Sequence, residues 1–187
     1  MRKHLAVLFM ALSALAFPSM ALAQASSSNS TVFMNIQGTG GDVIQGEVTQ
    51  AGREGWHRLQ AYTHEIVSPR DAASGLPTGK RQHKPFRIVK LINRGSPLLL
   101  DAMTKNETLP SIQVSIWTPT LVGAEQKVFT YTLTDATVAS IRPWMPNKSD
   151  PATSGYPPAE EISFTYKKIE WTFHNGNIVA EDSWDTR

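Results

Sequence analysis

Apolar and polar residues alternate in short runs along most of this chain, and the alternation changes phase at only a few places. Val32 to Gln37 (VFMNIQ) alternates and is then cut off by Gly38, Gly40 and Gly41. The segment EGWHRLQAYTHEI sets Trp56, Leu59 and Tyr62 among polar residues, a mixed pattern that predicts a long strand, bent or bulged. Ile112, Val114 and Ile116 oppose Gln113 and Ser115, while Phe129, Tyr131 and Leu133 oppose Thr130, Thr132 and Thr134. Each of these two segments predicts a strand with one buried face.

Two places break the β pattern. Ser96-Pro97 followed by LLLDAMTKN offers an N-cap serine, proline at the first helical position and strong helix formers, so it predicts the single helix of the mature chain. Near the C-terminus, Asn175-Gly176 predicts a two-residue type I′ hairpin turn. Such a turn sets His174 opposite Asn177, Trp171 opposite Ala180 and Glu170 opposite Glu181. Two acids face to face repel, so a basic neighbour is expected beside them, from this chain or another. On the incoming strand the apolar parity moves from even (Ile162, Phe164, Tyr166) to odd (Ile169, Trp171, Phe173), which a bulge near Lys167-Lys168 would explain.

Two connections are long: Val67 to Gly79, and Pro143 to Glu160, the second with five prolines. Connections of this length are functional or disordered. There is no internal repeat and no sign of a second domain.

Charge changes the picture once the leader is recognised. Arg2, Lys3 and His4 precede the apolar Leu5 to Phe17, and Ala21-Leu22-Ala23 forms a small-residue cleavage box. The expected organisation is a signal peptide over 1–23 cut between Ala23 and Gln24, a disordered tether over 24–30, and one domain over 31–187. The apolar run is interrupted by Pro18 and falls short of the ~20 residues of a spanning helix. The leader carries two of the 18 Lys and Arg and none of the 16 Asp and Glu, so the mature chain is formally neutral. Overall charge therefore points to no nucleic-acid partner, and no membrane partner is expected once the leader is removed.

The chain has no cysteine, which excludes disulfides, thiolate metal sites and cysteine nucleophiles. Apart from His4, its histidines are His57, His64, His83 and His174, with no H-x-x-x-H or H-E-x-x-H spacing. His57 and His64, seven apart, fall on opposite faces of a regular strand. There is no G-x-S-x-G elbow, and the glycines between Gly38 and Gly46 lack a P-loop lysine and a following helix, so they form a turn. Glu160-Glu161 and Glu181-Asp182 point apart on a strand, and only a pair assembled from distant residues would serve glycoside hydrolysis. No metal, cofactor or catalytic residue is expected.

The stretch TGKRQHKPFRIVK, Thr78 to Lys90, carries six basic side chains counting His83 and no acid. Alternation puts Lys80, Gln82 and Lys84 on one side and Arg81, His83 and Pro85 on the other, before Phe86 and Ile88 enter the core. A phosphate or nucleic-acid grip needs interleaved aromatic residues, and Phe86 is the only one. A polar strand end pairing with acids of its own or a neighbouring chain is the better reading.

These pieces together resemble the Hcp family, the haemolysin-coregulated proteins of bacterial type VI secretion. The matching segments run in family order: IQGEV with GREGW, TGKRQHKPFRIVK, the helix SPLLLDAM, DATVASI, and FTYKKIEWTFHNGNIVAEDSWD. They span Val32 to Asp185. The resemblance implies a mainly β fold, a small two-sheet β-barrel with one flanking helix, whose subunits form hexameric rings. It further implies that rings stack into the inner tube of a contractile injector and are ejected, with effectors as candidate cargo. The implied partners are further copies of the chain and the tip, sheath and effector proteins, and no reaction is catalysed. In such a ring Lys80, Arg81, His83 and Lys84 become assembly contacts, with Glu170 and Glu181 as their acidic counterparts.

The leader departs from the family, whose tube is built in the cytoplasm. A start at Met20 gives a leaderless, cytoplasmic subunit that leaves the cell by ejection. A used leader gives a periplasmic or extracellular ring or binding protein not built into a tube.

Overall fold

The computed structural model describes residues 30–120 and 123–184. The expected leader, its cleavage point at Ala23 and Gln24, and the tether up to residue 29 lie outside the described residues. Ten strands and one helix follow in order: β1 (Thr31–Gln37), β2 (His57–Thr63), β3 (Ile66–Val67), β4 (Gln82–His83), β5 (Phe86–Leu91), α1 (Ser96–Thr104), β6 (Thr108–Pro119), β7 (Glu125–Trp144), β8 (Ala159–Thr165), β9 (Lys168–Phe173) and β10 (Ile178–Ser183).

Eight strands form one sheet in the order β10-β9-β7-β6-β1-β2-β5-β8, and β8 also pairs with β7. That extra pairing closes β7, β6, β1, β2, β5 and β8 into a six-strand barrel, while β9 and β10 continue past it from the far half of β7. β3 and β4 form a separate two-stranded ribbon at the root of the loop between β2 and β5. The mainly β barrel with one helix matches the class the alternation predicts.

The alternating residues fill the barrel as the pleat requires. Met34, Ile36, Phe86, Ile88, Ile112, Val114, Leu133, Ile162, Phe164 and Ile169 are fully buried, each contributing about 1.5–3 kcal/mol through the area removed from water. Phase changes sit where the register shifts. β2 slips between Leu59 and Ala61, moving the inward position from Leu59 to Tyr62 and accounting for its mixed sequence pattern. β7 slips between Val138 and Ser140, between the buried Val138 and the partly buried, core-packed Ile141.

The parity switch near Lys167 has a different cause from a bulge in one strand. The chain breaks between β8 and β9 at Tyr166-Lys167, and opposite it Asp135 of β7 takes a left-handed φ of 49°. The Lys167 amide donates to the Thr134 carbonyl at 3.1 Å, so both strands turn the same corner together. Ile169 follows Phe164 into the core.

The C-terminal hairpin has the predicted register, with Trp171 opposite Ala180 and Glu170 opposite Glu181, but a different turn. Left-handed φ falls at Gly176 and Asn177 and not at Asn175. Residues 174–177 form a four-residue loop between paired Phe173 and Ile178. A two-residue and a four-residue loop centred on the same bond give the same register, which is why the pairing held while the turn type did not.

The helix forms at Ser96, with Pro97 in its first turn, as expected, but Ser96 is not its cap. Gly95 occupies that position with no side-chain cap, and a Cβ there would lie 2.5 Å from His57 Cε1 and 2.9 Å from the Gln45 carbonyl. The Ser96 hydroxyl is used elsewhere. It accepts from the Asn93 amide at 3.0 Å and donates to Glu160 Oε1 at 2.8 Å.

Candidate functional site

The basic stretch leads from the long loop through β4 into β5, and its alternation holds: Lys80, Gln82 and Lys84 are exposed, Arg81 and Pro85 are partly covered, and His83 and Phe86 are buried. The acid it engages is Asp182. Arg81 Nε and Nη2 grip the two oxygens of Asp182, and Nη2 also donates to the Ser183 carbonyl at 2.8 Å. Arg81 holds the Asp182 carboxyl below the usual carboxylate range, with His83 adding to the effect.

His83 bridges Asp182 and Tyr166. Its Nε2 lies 2.8 Å from Asp182 Oδ2, and its Nδ1 lies 2.8 Å from the Tyr166 hydroxyl. That hydroxyl lies 2.6 Å from His64 Nε2. Burial pushes the Tyr166 hydroxyl above its ordinary range, with the Asp182 charge acting in the same direction. Burial, helped by the neighbouring His83, lowers His64 from 6.5 to about 4. The rings of Phe86 and Trp184 flank this group, against His64 and His83 respectively.

Glu170 and Glu181 are served differently. Lys168, on the same strand as Glu170, reaches Glu181 at 2.6 Å, and Thr172 donates to Glu170 at 3.2 Å. Within one chain, then, the basic stretch does not meet these two acids. Among the described residues Lys84 Nζ reaches Gln82, at 3.3 Å. The hairpin register contained the signal for Asp182. Asp182 lies opposite Ile169, a core residue, so its side chain faces inward while Glu181 faces out.

A second network joins the barrel to the helix. Lys90 Nζ lies 2.6 Å from Glu160 Oε1, with the two side chains 0% and 1% exposed. It also donates to Asn93 Oδ1 at 2.9 Å and to Ser96 Oγ at 3.1 Å. Asn93 in turn binds Glu47 and lies 3.2 Å from His57 Nδ1, whose Nε2 lies 2.8 Å from the Ile44 carbonyl. Because a carbonyl only accepts, Nε2 carries the His57 proton and Nδ1 accepts from Asn93. Burial keeps His57 neutral by lowering its pKa. His57 and His64 therefore end in separate networks. Lys90 shares the inward parity of Phe86 and Ile88, the one signal in the sequence that could have placed it in the core.

Arg53 caps the barrel from the loop before β2. Its guanidinium is held between the rings of Phe33 and Trp117, 4.5 and 4.1 Å from their centroids, and pairs with Glu125. The candidate carboxylates are thus committed to cations: Glu160 to Lys90, Glu161 to Arg142, Glu181 to Lys168, Asp182 to Arg81. No group of three or more His, Asp or Glu suited to a metal ion occurs among the described residues.

Two outcomes follow from this geometry. In Arg81→Ala, the β3–β4 amides, including Lys84 N–H bonded to the Glu65 carbonyl at 2.9 Å, should lose protection in hydrogen–deuterium exchange by about tenfold. Unchanged protection would show that Asp182 does not hold the loop. Acid should also destabilise the protein. His57 and His64 refuse in the folded state a proton that the unfolded chain accepts near 6.5. Their contribution is complete above that pH and is lost as pH falls through their lowered folded-state values, about 4 for His64. Urea midpoints should drop between about pH 7.5 and about pH 5, and His64→Gln should flatten the drop.

The chain matches the family described as type VI secretion system effector, Hcp, over residues 33–173. It is 34% identical over 161 residues to the "Major exported protein" of Pseudomonas aeruginosa, covering 81% of this chain and 94% of that one. Among solved structures it is similar to Hcp1 of the E. coli EAEC 042 pathovar, with TM-score 0.74 and 31% identity, covering 82% of this chain and 98% of that chain. It is also similar to the secreted protein Hcp3 of Pseudomonas aeruginosa, with TM-score 0.67 and 26% identity, covering 84% and 99%. The closed six-strand barrel, the single helix and these matches over most of the described residues agree: the chain belongs to the Hcp family of type VI secretion system effectors.

Proposed function

We propose that this chain is a ring-forming subunit: six copies close into a ring, rings stack into the inner tube of a contractile injector, and the tube is ejected with effectors in its lumen. The work is structural, and no reaction is catalysed. The observation that carries this reading is the apolar, exposed start of the outer strand of the sheet. Barrel closure uses the β8 end, so among the described residues β10 is the outer strand at the other end of the eight-stranded sheet, and its Ile178 and Val179 are 64% and 55% exposed. An open strand edge with apolar side chains is a template for another chain, and a ring of copies covers it.

The charged contacts of the proposed interface come from the basic stretch. Arg81 and His83 hold its shape through Asp182, leaving the exposed Lys80 and Lys84 to meet the Glu170 and Glu181 face of a neighbouring copy. Tip, sheath and effector proteins are the further partners. The leader is taken to be cut between Ala23 and Gln24. A periplasmic chain whose intact mass begins at Gln24 supports that cut, and a chain beginning at Met20 rejects it.

Native mass spectrometry tests the assembly. Six subunits are expected, and a paired charge reversal of Lys80→Glu with Glu170→Lys should retain more hexamer than either change alone. A monomer at all concentrations would overturn the ring, while a hexamer indifferent to these charges would overturn only the interface.

A further inference from the structure

The chain of hydrogen bonds Asp182–His83–Tyr166–His64 joins β10 and β4 to the connections between β8 and β9 and between β2 and β3, and its polarity follows from which atoms can donate. A carboxylate only accepts, so His83 donates its Nε2 proton to Asp182 across 2.8 Å. A neutral His83 then has a bare Nδ1, which accepts the Tyr166 hydroxyl proton across 2.8 Å. The Tyr166 oxygen in turn accepts from His64 Nε2 across 2.6 Å. His64 is left with a lone pair on Nδ1, and His64 lines a surface cavity of about 240 Å³ with Glu65, Lys84 and Arg87. At the other end the His83 side chain is 2% exposed.

We propose that this chain is a proton wire by which the buried His83 takes up its second proton from the cavity beside His64. A solvent proton bonds to His64 Nδ1, the His64 Nε2 proton passes to the Tyr166 oxygen, and the Tyr166 hydroxyl proton passes to His83 Nδ1. One proton enters and none leaves. Afterwards His83 is an imidazolium donating to both Asp182 and Tyr166, Tyr166 donates to His64 Nε2, and His64 is again neutral with its proton on Nδ1. His64 Nδ1 has changed from acceptor to donor.

The charges around the wire support uptake at the His83 end. Asp182 faces His83 directly, and Arg81 grips the same carboxylate. Around His64 stand Glu65, Lys84 and Arg87, with the Tyr131 ring against the imidazole. Burial disfavours a second charge on His64, while on His83 it would meet the Asp182 carboxylate at 2.8 Å. The proton therefore comes to rest at the buried end. The wire lies within one chain and needs no second subunit.

Imidazole nitrogen shifts of the whole protein, followed by NMR across pH, test this. His64 should change from the Nε2–H to the Nδ1–H form with the same midpoint as the protonation of His83, while remaining neutral. In Tyr166→Phe, which keeps the ring and removes the hydroxyl, His83 should titrate without any change of form at His64. In Asp182→Asn both midpoints should move together to lower pH. A His64 that keeps one form while His83 titrates, a His64 that still follows in Tyr166→Phe, or separate midpoints in Asp182→Asn would overturn the wire. So would a His83 that takes no second proton before the fold is lost.

Discussion

Lys90→Ala should lower the stability of the folded subunit by about 3–5 kcal/mol, the cost of leaving a buried charge without its partner. Glu160 is 1% exposed, and among the described residues the neutral Ser96 hydroxyl is the side-chain donor left to it. Removing both charges together, as Lys90→Met with Glu160→Gln, should cost much less than the sum of Lys90→Met and Glu160→Gln made singly, since no unpaired ion remains. Equilibrium urea unfolding of the four proteins completes the double-mutant cycle. Additive losses would mean that the two groups are not coupled and that the helix is held by packing alone.

The pair is placed to matter beyond its own energy. Lys90 lies near the end of β5 and Glu160 near the start of β8, and the same ammonium is bound by Ser96 at the start of α1 and by Asn93 in the connection before it. One cation thus ties the closing strands of the barrel to the helix. Loss of that tie should free α1 first.

The second large effect is expected at Phe86→Ala, about 3–5 kcal/mol from lost burial and the cavity left behind. Phe86 is 0% exposed and packs against Tyr62, Tyr131 and His64 at centroid distances of 5.9, 5.3 and 5.2 Å. Phe86→Leu, which keeps most of the volume, should cost less than half as much. The same measurement decides: equal losses for Ala and Leu would mean that aromatic contact, not volume, is what Phe86 supplies. Because His64 leans on this ring, Phe86→Ala should also disturb the proton wire.

How much was legible in the sequence depended on the range of the interaction. The strands around Ile112 to Ile116 and Phe129 to Leu133 were visible because a pleat with one buried face imposes a period of two on the residues themselves. The hairpin register was visible because Asn175-Gly176 marks the centre of a local connection. The turn type was not. Residues 174–177 settle into a four-residue loop with left-handed Gly176 and Asn177, and both loop lengths satisfy the same register.

The network around Lys90 and Glu160 shows the opposite case. Ser96 has every local mark of an N-cap, yet its hydroxyl goes to Glu160, a residue 64 positions away. A buried carboxylate with an unmet acceptor outweighs a cap that backbone and solvent can replace. Likewise Arg81 was legible as a partner for acids, but the choice of Asp182 over Glu181 required the face of β10 to be known.

By itself, then, the sequence determined the alternation that makes a mainly β barrel, the one helix, the phase changes that bend its strands, and the ordered segments that place it in its family. All of these are written in neighbouring residues, because strand pleat, helix turn and hairpin centre are set by local geometry. Only the tertiary structure decided which charges meet: Lys90 with Glu160, Arg81 and His83 with Asp182, Lys168 with Glu181. Ion pairs and hydrogen bonds form between whatever groups closure brings within about 3 Å of each other, and that proximity across the barrel has no local signature in the chain.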